Sequence, residues 1–552
     1  MGITRSWGAA LGLGLVLSAC GGGGEEETSS WWLSFEEGAD PPANSADGAR
    51  FLEQATFGPT LNELEGLDHA GFEQWFEYQA GLPPSLQRPL FDARTAQGLP
   101  TGQNHRHEFW YRIAVTGNDQ LRQRVAFALS QILVVSDDSG PLRNEQEQVV
   151  EYYDLLVRGA LGNYRDLLED VTKSPAMGLY LSHLKNGKGD PANNINPDEN
   201  YARELMQLFS LGLVELNLDG TVVTDMGGAP VPTYDQDDIV NLARALTGWN
   251  YAGAQNWNFP GKNTLPMEPW EEYHDTDAKT IVGGVFLPAG QTAEQDLDAA
   301  LDAVFEHPSH APFLVTRLIQ RLVTSNPSPA YVQRVAQVYE DDGTGERGDL
   351  LETVRAILMD DEARNGHLNA PTTFGKLREP VVRLAGLWRA FDASAANGQY
   401  LVNPHDNDFS QAPLSAPSVF NFYFPDFSPT GPLGDADLVG PEHQIATHSQ
   451  LMSATNRIWI ETYRNHPNAN TDSDDVVPDL TEELLIAEQP AALVDHLNLL
   501  LMAGQMSSDM RTSLIDHVSA VDLDEGGKGN GMQRVLDTIY LIVSSPEGMT
   551  QR

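Results

Sequence analysis

Apolar residues recur at helical spacing along most of the chain, which predicts a mainly α protein. In residues 118–135 one broad face carries, at the 3.6-residue period of a buried helix, Leu121, Val125, Ala128, Leu129 and Ile132. The pattern continues in 151–171 and 235–249, returns in a second helical block from about 292 to 392, and resumes from about 446. We therefore expect one large multi-helical fold.

Two short stretches instead indicate β-hairpins. Residues 214–223 place Asp219-Gly220 between alternating apolar positions, and residues 279–288 place Gly283-Gly284 in a similar context. The segment 393–445 is rich in Pro, Asn and aromatic residues and is expected to be irregular. These boundaries predict an N-terminal helical lobe over 49–290 and a C-terminal helical lobe over 291–552.

The stretch NPDENYARELMQLFSLG (196–212) is an amphipathic helix with an unusually polar entrance. Asn196 is the expected N-cap and Pro197 the first helical residue, followed by Glu199 as in a capping box. Arg203 follows Glu199 by four residues, the spacing of a helical ion pair.

Asn200 and Glu204 have no such structural role in this pattern. They lie four residues apart at the edge of the apolar stripe, where a carboxylate is partly desolvated. Glu204 is then either a member of an ion pair or an acid/base group with a raised pKa. Asn200, Arg203 and Glu204 are therefore the candidate catalytic residues.

A divalent-metal site is the second chemical possibility. The segment EEYHDTDAKT contributes His274 and Asp275, and further histidines at 105, 107, 307 and 310 could converge on them. Imidazole and carboxylate ligands suit Zn²⁺ or a similar ion where thiolates are missing. The alternative is that His274 and Asp275 only shape a turn.

Other catalytic signatures are missing or incomplete. The sequence has no His-Glu-x-x-His, no Walker loop and no Gly-x-Ser-x-Gly elbow. GTGERG (343–348) matches a dinucleotide motif, but it follows a helical pattern and is flanked by acids that would repel a pyrophosphate. It is predicted to be a loop whose Asp349 leads into the next helix.

The N-terminus predicts the cellular address. Residues 1–20 have the basic start and short apolar run of a signal peptide, and they end in Leu-Ser-Ala-Cys, a bacterial lipobox. Cys20, the only cysteine of 552 residues, is the expected lipidation site, followed by a flexible acidic tether over 21–48. Gly21 favours transfer to the outer membrane, so the expected location is the cell envelope, with the membrane reached through the lipid anchor only.

Charge restricts the partners. The chain has 34 basic and 78 acidic residues, a net charge of −44. A field of this sign and size repels nucleic acid and anionic membrane surfaces, so neither is expected as a direct partner.

Several segments together resemble the bacterial domain-of-unknown-function 1800 family. They are FLEQATFGPT, LRQRVAFALSQILVVS, PDENYARELMQLFSLGL, LARALTGW, HDTDAKTIVGG, APSVFNF and PEHQIAT, in this order from about residue 50 to 450. The resemblance implies a mainly helical, secreted or lipid-anchored protein. It also implies, as a possible partner, an exported protein of the domain-of-unknown-function 1501 family.

Three functional hypotheses follow. The first is a lipid-anchored envelope module that binds an exported partner protein or an extracellular polymer. The second is an envelope hydrolase, metal-assisted or not, in which Glu204 or Asp275 is the base, His274 a ligand or acid, and Arg203 holds an anion. The third is a purely structural envelope protein without a cleft.

Overall fold

The architecture is mainly α, as the periodicity predicts. The structure, a computed structural model, describes residues 30–138, 140–259, 261, 263–402, 408–524 and 529–552. The signal peptide, Cys20 and residues 21–29 of the predicted tether lie outside these ranges, so the predictions for them remain predictions.

Short helices fill the N-terminal half. They are α1 (Ser45–Ala55), α2 (Leu61–Gly81), α3 (Arg88–Ala96), α4 (Gln103–Thr116), α5 (Gln120–Ser130), α6 (Gln146–Gly159), α7 (Tyr164–Lys173), α8 (Pro175–Tyr180), α9 (Asn200–Glu204) and α10 (Gln236–Ala245). Side chains cap several of them: Thr60 accepts from the Glu63 N–H at the start of α2, and Asp235 forms a capping box with Asp238 on α10.

The C-terminal half continues the pattern. Its helices are α11 (Ala293–Phe305), α12 (His310–Leu322), α13 (Pro329–Glu340), α14 (Leu350–Met359), α15 (Asp361–Asn369), α16 (Pro380–Ala390), α17 (Pro432–Asp435), α18 (His448–Trp459), α19 (Thr481–Ile486), α20 (Pro490–Met502), α21 (Ser508–Ala520) and α22 (Met532–Ser544). Asp349 caps α14 by accepting from the Glu352 N–H at 2.8 Å, so GTGERG is the predicted loop before a capped helix.

Three two-stranded antiparallel sheets complete the secondary structure of the described residues. They pair β1 (Trp249–Asn250) with β2 (Glu268–Pro269), β3 (Lys279–Ile281) with β4 (Val285–Leu287), and β5 (Lys376–Leu377) with β6 (Thr550–Gln551). The predicted hairpin at 279–288 is confirmed, and Gly283 and Gly284 turn it with positive φ. At 214–223 the turn forms as isolated bridges, including Leu216 with Val222.

One hydrophobic core runs through both halves. Its largest cluster extends in sequence from Ala49 to Val543 and includes Trp75, Trp110 and Trp388. Helices from either side of residue 290 pack on each other, for example α12 on α5 and α16 on α4. The hydrophobic core therefore does not divide at the predicted lobe boundary, 290/291. The division into two lobes itself stays a prediction.

A buried charge cluster lies where α5, α12, β5 and the irregular 409–442 segment meet. Its five members are Arg124, Arg321, Lys376, Glu379 and Glu442. The Lys376 ammonium lies 3.0 Å from the Glu442 carboxylate, and it donates to the Arg321 carbonyl oxygen at 2.9 Å. Arg124 donates to that same carbonyl oxygen at 2.7 Å.

Neutral side chains complete this cluster around Glu379. The Gln131 amide donates to both Glu379 carboxylate oxygens at 3.1 and 3.2 Å, and the Gln411 amide donates at 2.5 Å. Burial by itself would raise the pKa of Glu379, but the nearby Lys376, Arg124 and Arg321 outweigh it and lower the pKa. This network of buried, paired charges joins segments that are distant in sequence.

No helix among the described residues is both long enough and apolar enough to cross a membrane.

Candidate functional site

The helix at 196–212 begins later than its sequence predicts. Its first helical residue is Asn200, with Glu199 at the N-cap position and no side-chain cap, so the assignment of Asn196 as N-cap and Pro197 as first residue is wrong. The cause is tertiary: the Asn186 side chain hydrogen-bonds both the N–H and the C=O of Asp198, at 2.8 and 2.9 Å. This contact holds the chain before Asn200 out of the helix.

Asn200 and Arg203 do not converge on a reactive centre. Asn200 is exposed, and its N–H donates to the Asp198 carboxylate at 2.9 Å. Arg203 forms the predicted ion pair with Glu199 at 3.0 Å, an exposed pair of the kind that contributes about 0.3–0.5 kcal/mol. Both residues are therefore engaged in forming the start of α9.

Glu204 is different, because no other described residue forms with it the ion pair that would make it structural. Its side chain is half-buried, and within the described ranges its Oε2 atom has no hydrogen-bond partner. Burial raises the pKa of this carboxyl, and the neighbouring Arg203 opposes the rise only in part. The sequence left two possibilities for Glu204, and this environment favours the raised-pKa acid/base group over the ion-pair member.

Two tyrosines near the Glu204 carboxyl were missed by sequence reasoning. Partial burial, with a contribution from the Glu204 charge, raises the pKa values of Tyr180 and Tyr234 to about 12. The Tyr234 hydroxyl already donates to the Gln207 side chain at 3.4 Å, and among the described residues neither hydroxyl hydrogen-bonds the Glu204 carboxyl. A half-buried carboxyl of raised pKa is still the type of group that can transfer a proton to or from a ligand.

A π-helical turn follows Glu204 directly, over Leu205–Ser210. Its apolar side, including Leu205 and Phe209, is fully buried, as the sequence stripe predicts. π-turns inside α-helices are frequent at functional sites. The turn shifts the side chains after Glu204 relative to those before it, which sequence periodicity could not reveal.

The predicted metal ligands have protein partners instead. His274 is fully buried; its Nδ1 lies 3.0 Å from the Thr247 carbonyl oxygen, and its Nε2 lies 3.2 Å from the Asp296 carboxylate. The Lys279 ammonium contacts the same Asp296 oxygen at 2.5 Å. A positive charge of the protein therefore already stands beside the carboxylate that a cation would need.

Asp275 is equally engaged. Its two carboxylate oxygens accept from the Arg244 guanidinium at 2.8 and 3.1 Å, a bidentate pair that lowers the pKa of Asp275 although burial opposes this. Across the part of the chain that the structure describes, no group of three or more His, Cys, Asp or Glu residues is placed to hold a metal ion. His274 and Asp275 do not fit a metal, and neither hydrogen-bonds nor ion-pairs with Glu204.

A recess large enough for a ligand lies elsewhere, and we call it the α2–α16 cleft. Its volume is about 840 Å³, within the range of ligand sites. It is lined from five separate segments: Trp31, both ends of α2, the α4–α5 loop at 115–118, the end of α16, and residues 392–400. A smaller recess of about 340 Å³ shares Thr116, Gly117 and Asn118 with it, so the two adjoin along this loop.

Buried hydrogen bonds fix the floor of the α2–α16 cleft. Arg389 donates to the Gly58 carbonyl oxygen at 2.9 Å and pairs with the Glu63 carboxylate. Gln79 donates to the Asn118 carbonyl oxygen at 3.1 Å and accepts from the Leu121 N–H at 3.1 Å. These contacts hold the 115–118 loop against α2, so the cleft is preformed.

The lining of the cleft combines an aromatic pair with polar groups. Trp31 stacks on Tyr78 with ring centroids 4.6 Å apart and planes at 15°. The lining also includes exposed amide and hydroxyl groups, among them Asn118 and Ser394, to whose side chains no other described residue hydrogen-bonds. Such groups can donate to and accept from a ligand.

The field inside the cleft is acidic. Asp392, held in the left-handed region at φ 42°, has its pKa raised by partial desolvation and by the negative charges of Asp479, Glu63 and Glu483, against the opposing effect of Arg389. The local charge thus follows the sign of the whole chain, at −44.

Sequence analysis did not find this cleft because its lining comes from distant segments without a shared motif. The Trp31-Trp32 pair within the predicted tether was the one usable signal, since two large aromatics in a polar segment indicate a contact surface. The aromatic residues of segment 418–427 differ in exposure. Tyr423 is buried under the Arg321 guanidinium, whereas Phe420 and Phe424 are exposed.

Comparison with known proteins gives a family match without a described activity. A family model described as "Protein of unknown function (DUF1800)" matches residues 50–550, nearly the whole chain. No curated protein and no solved structure matches significantly. The segments that carry the resemblance supply both the Glu204 region and, through Arg124, Gln131 and Glu442, the buried charge cluster.

Proposed function

This protein belongs to the DUF1800 family of proteins of unknown function, and we propose that it is a lipid-anchored cell-envelope module that binds an exported partner protein or an extracellular polymer. The single observation that carries the proposal is the preformed α2–α16 cleft of about 840 Å³ with its adjoining recess. A purely structural envelope protein has no need of such a cleft, which favours the binding hypothesis over the structural one.

The position of the cleft agrees with the proposed anchor. Trp31 on its rim follows Cys20 by eleven residues, and a chain of that length spans at most roughly 40 Å. A lipid on Cys20 would therefore keep the cleft close to the membrane surface, where envelope polymers and exported proteins are found. An exported protein of the DUF1501 family remains the proposed protein partner, and the outer membrane the proposed location.

Lipidation is tested in the native envelope. We expect the wild-type chain to incorporate labelled palmitate and to sediment with outer membranes, and Cys20→Ala to do neither. A Cys20→Ala protein that keeps the label and the membrane association would contradict the anchor.

Binding is tested by capture. The purified full-length protein is immobilised and exposed to a solubilised envelope extract and, separately, to suspended insoluble envelope polymer. We expect repeated, saturable recovery of one component, reduced when cleft residues Trp31 and Asn118 are both replaced by Ala. Recovery of nothing from either fraction would reject the binding function.

An acid/base hydrolase is the second candidate, and the Glu204 carboxyl favours it. This group combines a raised pKa with partial burial, two features of a side chain that can transfer a proton. The proposal assigns no step to a metal, because Lys279 and Arg244 already engage the carboxylates near His274.

This second candidate makes its own prediction. Hydrolysis of envelope ester, amide or glycosidic substrates by the purified protein should fall at least 100-fold in Glu204→Gln and stay unchanged in Asn200→Ala. Elemental analysis after dialysis should find no stoichiometric divalent metal. No hydrolysis by the wild-type protein on any of the three bond types would remove the candidate.

A further inference from the structure

We propose that the α2–α16 cleft binds a neutral, hydroxyl-rich glycan chain. The inference rests on the proposed binding function and names its ligand class, an uncharged polysaccharide or a soluble oligosaccharide of it. It combines three features of the described residues: the acidic surroundings, the uncharged hydrogen-bonding groups on the rim, and the stacked aromatic pair.

The acidic surroundings of the cleft exclude polyanions as ligands. Asp392 lines the cleft, Asp479 and Glu483 act on Asp392 from beside it, and Arg389 is the basic residue among the lining groups. The Arg389 guanidinium is already paired with Glu63 and bonded to the Gly58 carbonyl oxygen. An anionic polymer would therefore meet repulsion from the cleft as well as from the net charge of −44.

The polar side chains on the rim can hydrogen-bond with the hydroxyl groups of a sugar. Asn62, Thr116, Asn118 and Ser394 are exposed in the lining, and amide and hydroxyl side chains both donate and accept hydrogen bonds. Asn62 already donates to the Ser30 hydroxyl and Thr116 to the Arg112 carbonyl oxygen, so Asn118 and Ser394 are the groups with full capacity for a ligand. A sugar ring offers the same mixed pattern along its edge, so such a ligand can pair with these groups without an uncompensated charge. A basic peptide would instead need unpaired carboxylates in number, and Glu63 is already neutralised.

The aromatic pair adds an apolar platform. Trp31 and Tyr78 are both half-buried, and their stacked arrangement fixes them at the rim. Amphipathic rings of this kind provide contact area for the apolar face of a sugar ring at little entropic cost. The walls belong to helices and loops, and none of the three described sheets lines the cleft, so a peptide has no strand edge there to extend.

The shape favours a chain over a single sugar. The cleft and the smaller recess share Thr116, Gly117 and Asn118 in their linings, so both lie against the end of α4 and the loop after it. A ligand that occupies both would cross Asn118, which makes this residue the most sensitive position.

The experiment uses isothermal titration of the purified full-length protein with defined probes. The neutral probes are cellohexaose, chitohexaose and maltohexaose; the anionic probe is a hexagalacturonate, and the peptide probe is a lysine-rich dodecamer. Trp31→Ala and Asn118→Ala are compared with Trp459→Ala, which removes an exposed tryptophan stacked on Tyr463 outside the cleft. Asn118 lies on an exposed loop, so its replacement keeps the fold even if Trp31→Ala disturbs the N-terminal segment.

We expect saturable binding of at least one neutral hexasaccharide, about tenfold weaker in Trp31→Ala and in Asn118→Ala and unchanged in Trp459→Ala. The inference is overturned if no neutral probe binds, if the anionic or peptide probe binds as tightly, or if both cleft variants keep full affinity. Envelope capture that persists while every glycan fails would leave the binding function standing and remove only this ligand class.

Discussion

Replacing Lys376 is expected to lower the free energy of unfolding strongly. Its side chain is 2% exposed, and its ammonium lies 3.0 Å from the Glu442 carboxylate and 3.9 Å from that of Glu379. Replacing it in Lys376→Met keeps an apolar chain of similar length but removes the charge. Glu442 then remains buried without its ion-pair partner.

The expected cost follows from these distances. At an effective dielectric constant of about 20, a pair of unit charges 3.0 Å apart interacts by about 5–6 kcal/mol. Part of that energy offsets the desolvation of the ammonium, which the methionine no longer requires. Breaking a buried pair from one side generally costs about 3–5 kcal/mol, and we expect Lys376→Met to lose an amount in this range.

A double variant separates the effect of losing the ion pair from the effect of changing the side-chain packing. In Lys376→Met/Glu442→Gln neither charge is buried alone, so we expect recovery of about 2 kcal/mol relative to the single variant. Lys188→Met, at an exposed lysine, is the control and should change the free energy of unfolding by less than about 0.5 kcal/mol.

The assay is urea unfolding at pH 7, followed by the fluorescence of the ten tryptophans. Because a chain of this size can unfold in stages, the variants are compared at the first transition. The reasoning is refuted if Lys376→Met loses less than about 1 kcal/mol, or if the double variant is no more stable than the single one.

Two further predictions test the site regions. The raised pKa of Glu204 means that its contribution to stability is present below its usual pKa of 4.5 and is lost as the pH rises through its value in the fold. Glu204→Gln should therefore unfold at higher urea than the wild type at pH 7 and match it near pH 4; equal midpoints at both pH values would contradict the raised pKa. Gly66→Ala, although alanine normally favours a helix by about 1 kcal/mol, should destabilise the rim, because its methyl group would lie 2.5–2.7 Å from ring atoms of Trp31 and Trp32. Thermal unfolding and tryptophan emission would show this, with Gly81→Ala on the same helix, where no atom lies within 4 Å, as the control; identical behaviour of the two variants would refute it.

The start of α9 shows where local rules stop. Every residue from Asn196 to Glu199 fits a capping sequence, and the Arg203–Glu199 pair forms as predicted. Yet the helix starts at Asn200, because Asn186, ten residues before Asn196, hydrogen-bonds the Asp198 backbone. A capping motif specifies where a helix can start, and a contact from outside the motif selects the actual start.

His274 and Asp275 show that local rules are equally limited in predicting the chemical role of a side chain. Their residue types suit a metal, but Arg244, Asp296 and Lys279 reach them only in the folded chain. Glu204 is the converse case, since the helical projection placed it at a desolvated edge and the fold leaves its carboxyl without a salt bridge. The partners of a side chain decide its chemistry, and Arg244 and Asp296 lie 31 and 22 residues from the side chains that they contact.

The sequence by itself determined the helical architecture, the hairpin at Gly283-Gly284, and the loop that ends in the Asp349 cap. Each of these depends on residues within one or two turns of one another, so periodicity and turn chemistry suffice. Only the tertiary structure decided the α2–α16 cleft and the buried charge cluster. Their walls and partners come from segments up to several hundred residues apart, and no local pattern encodes which of those segments will meet.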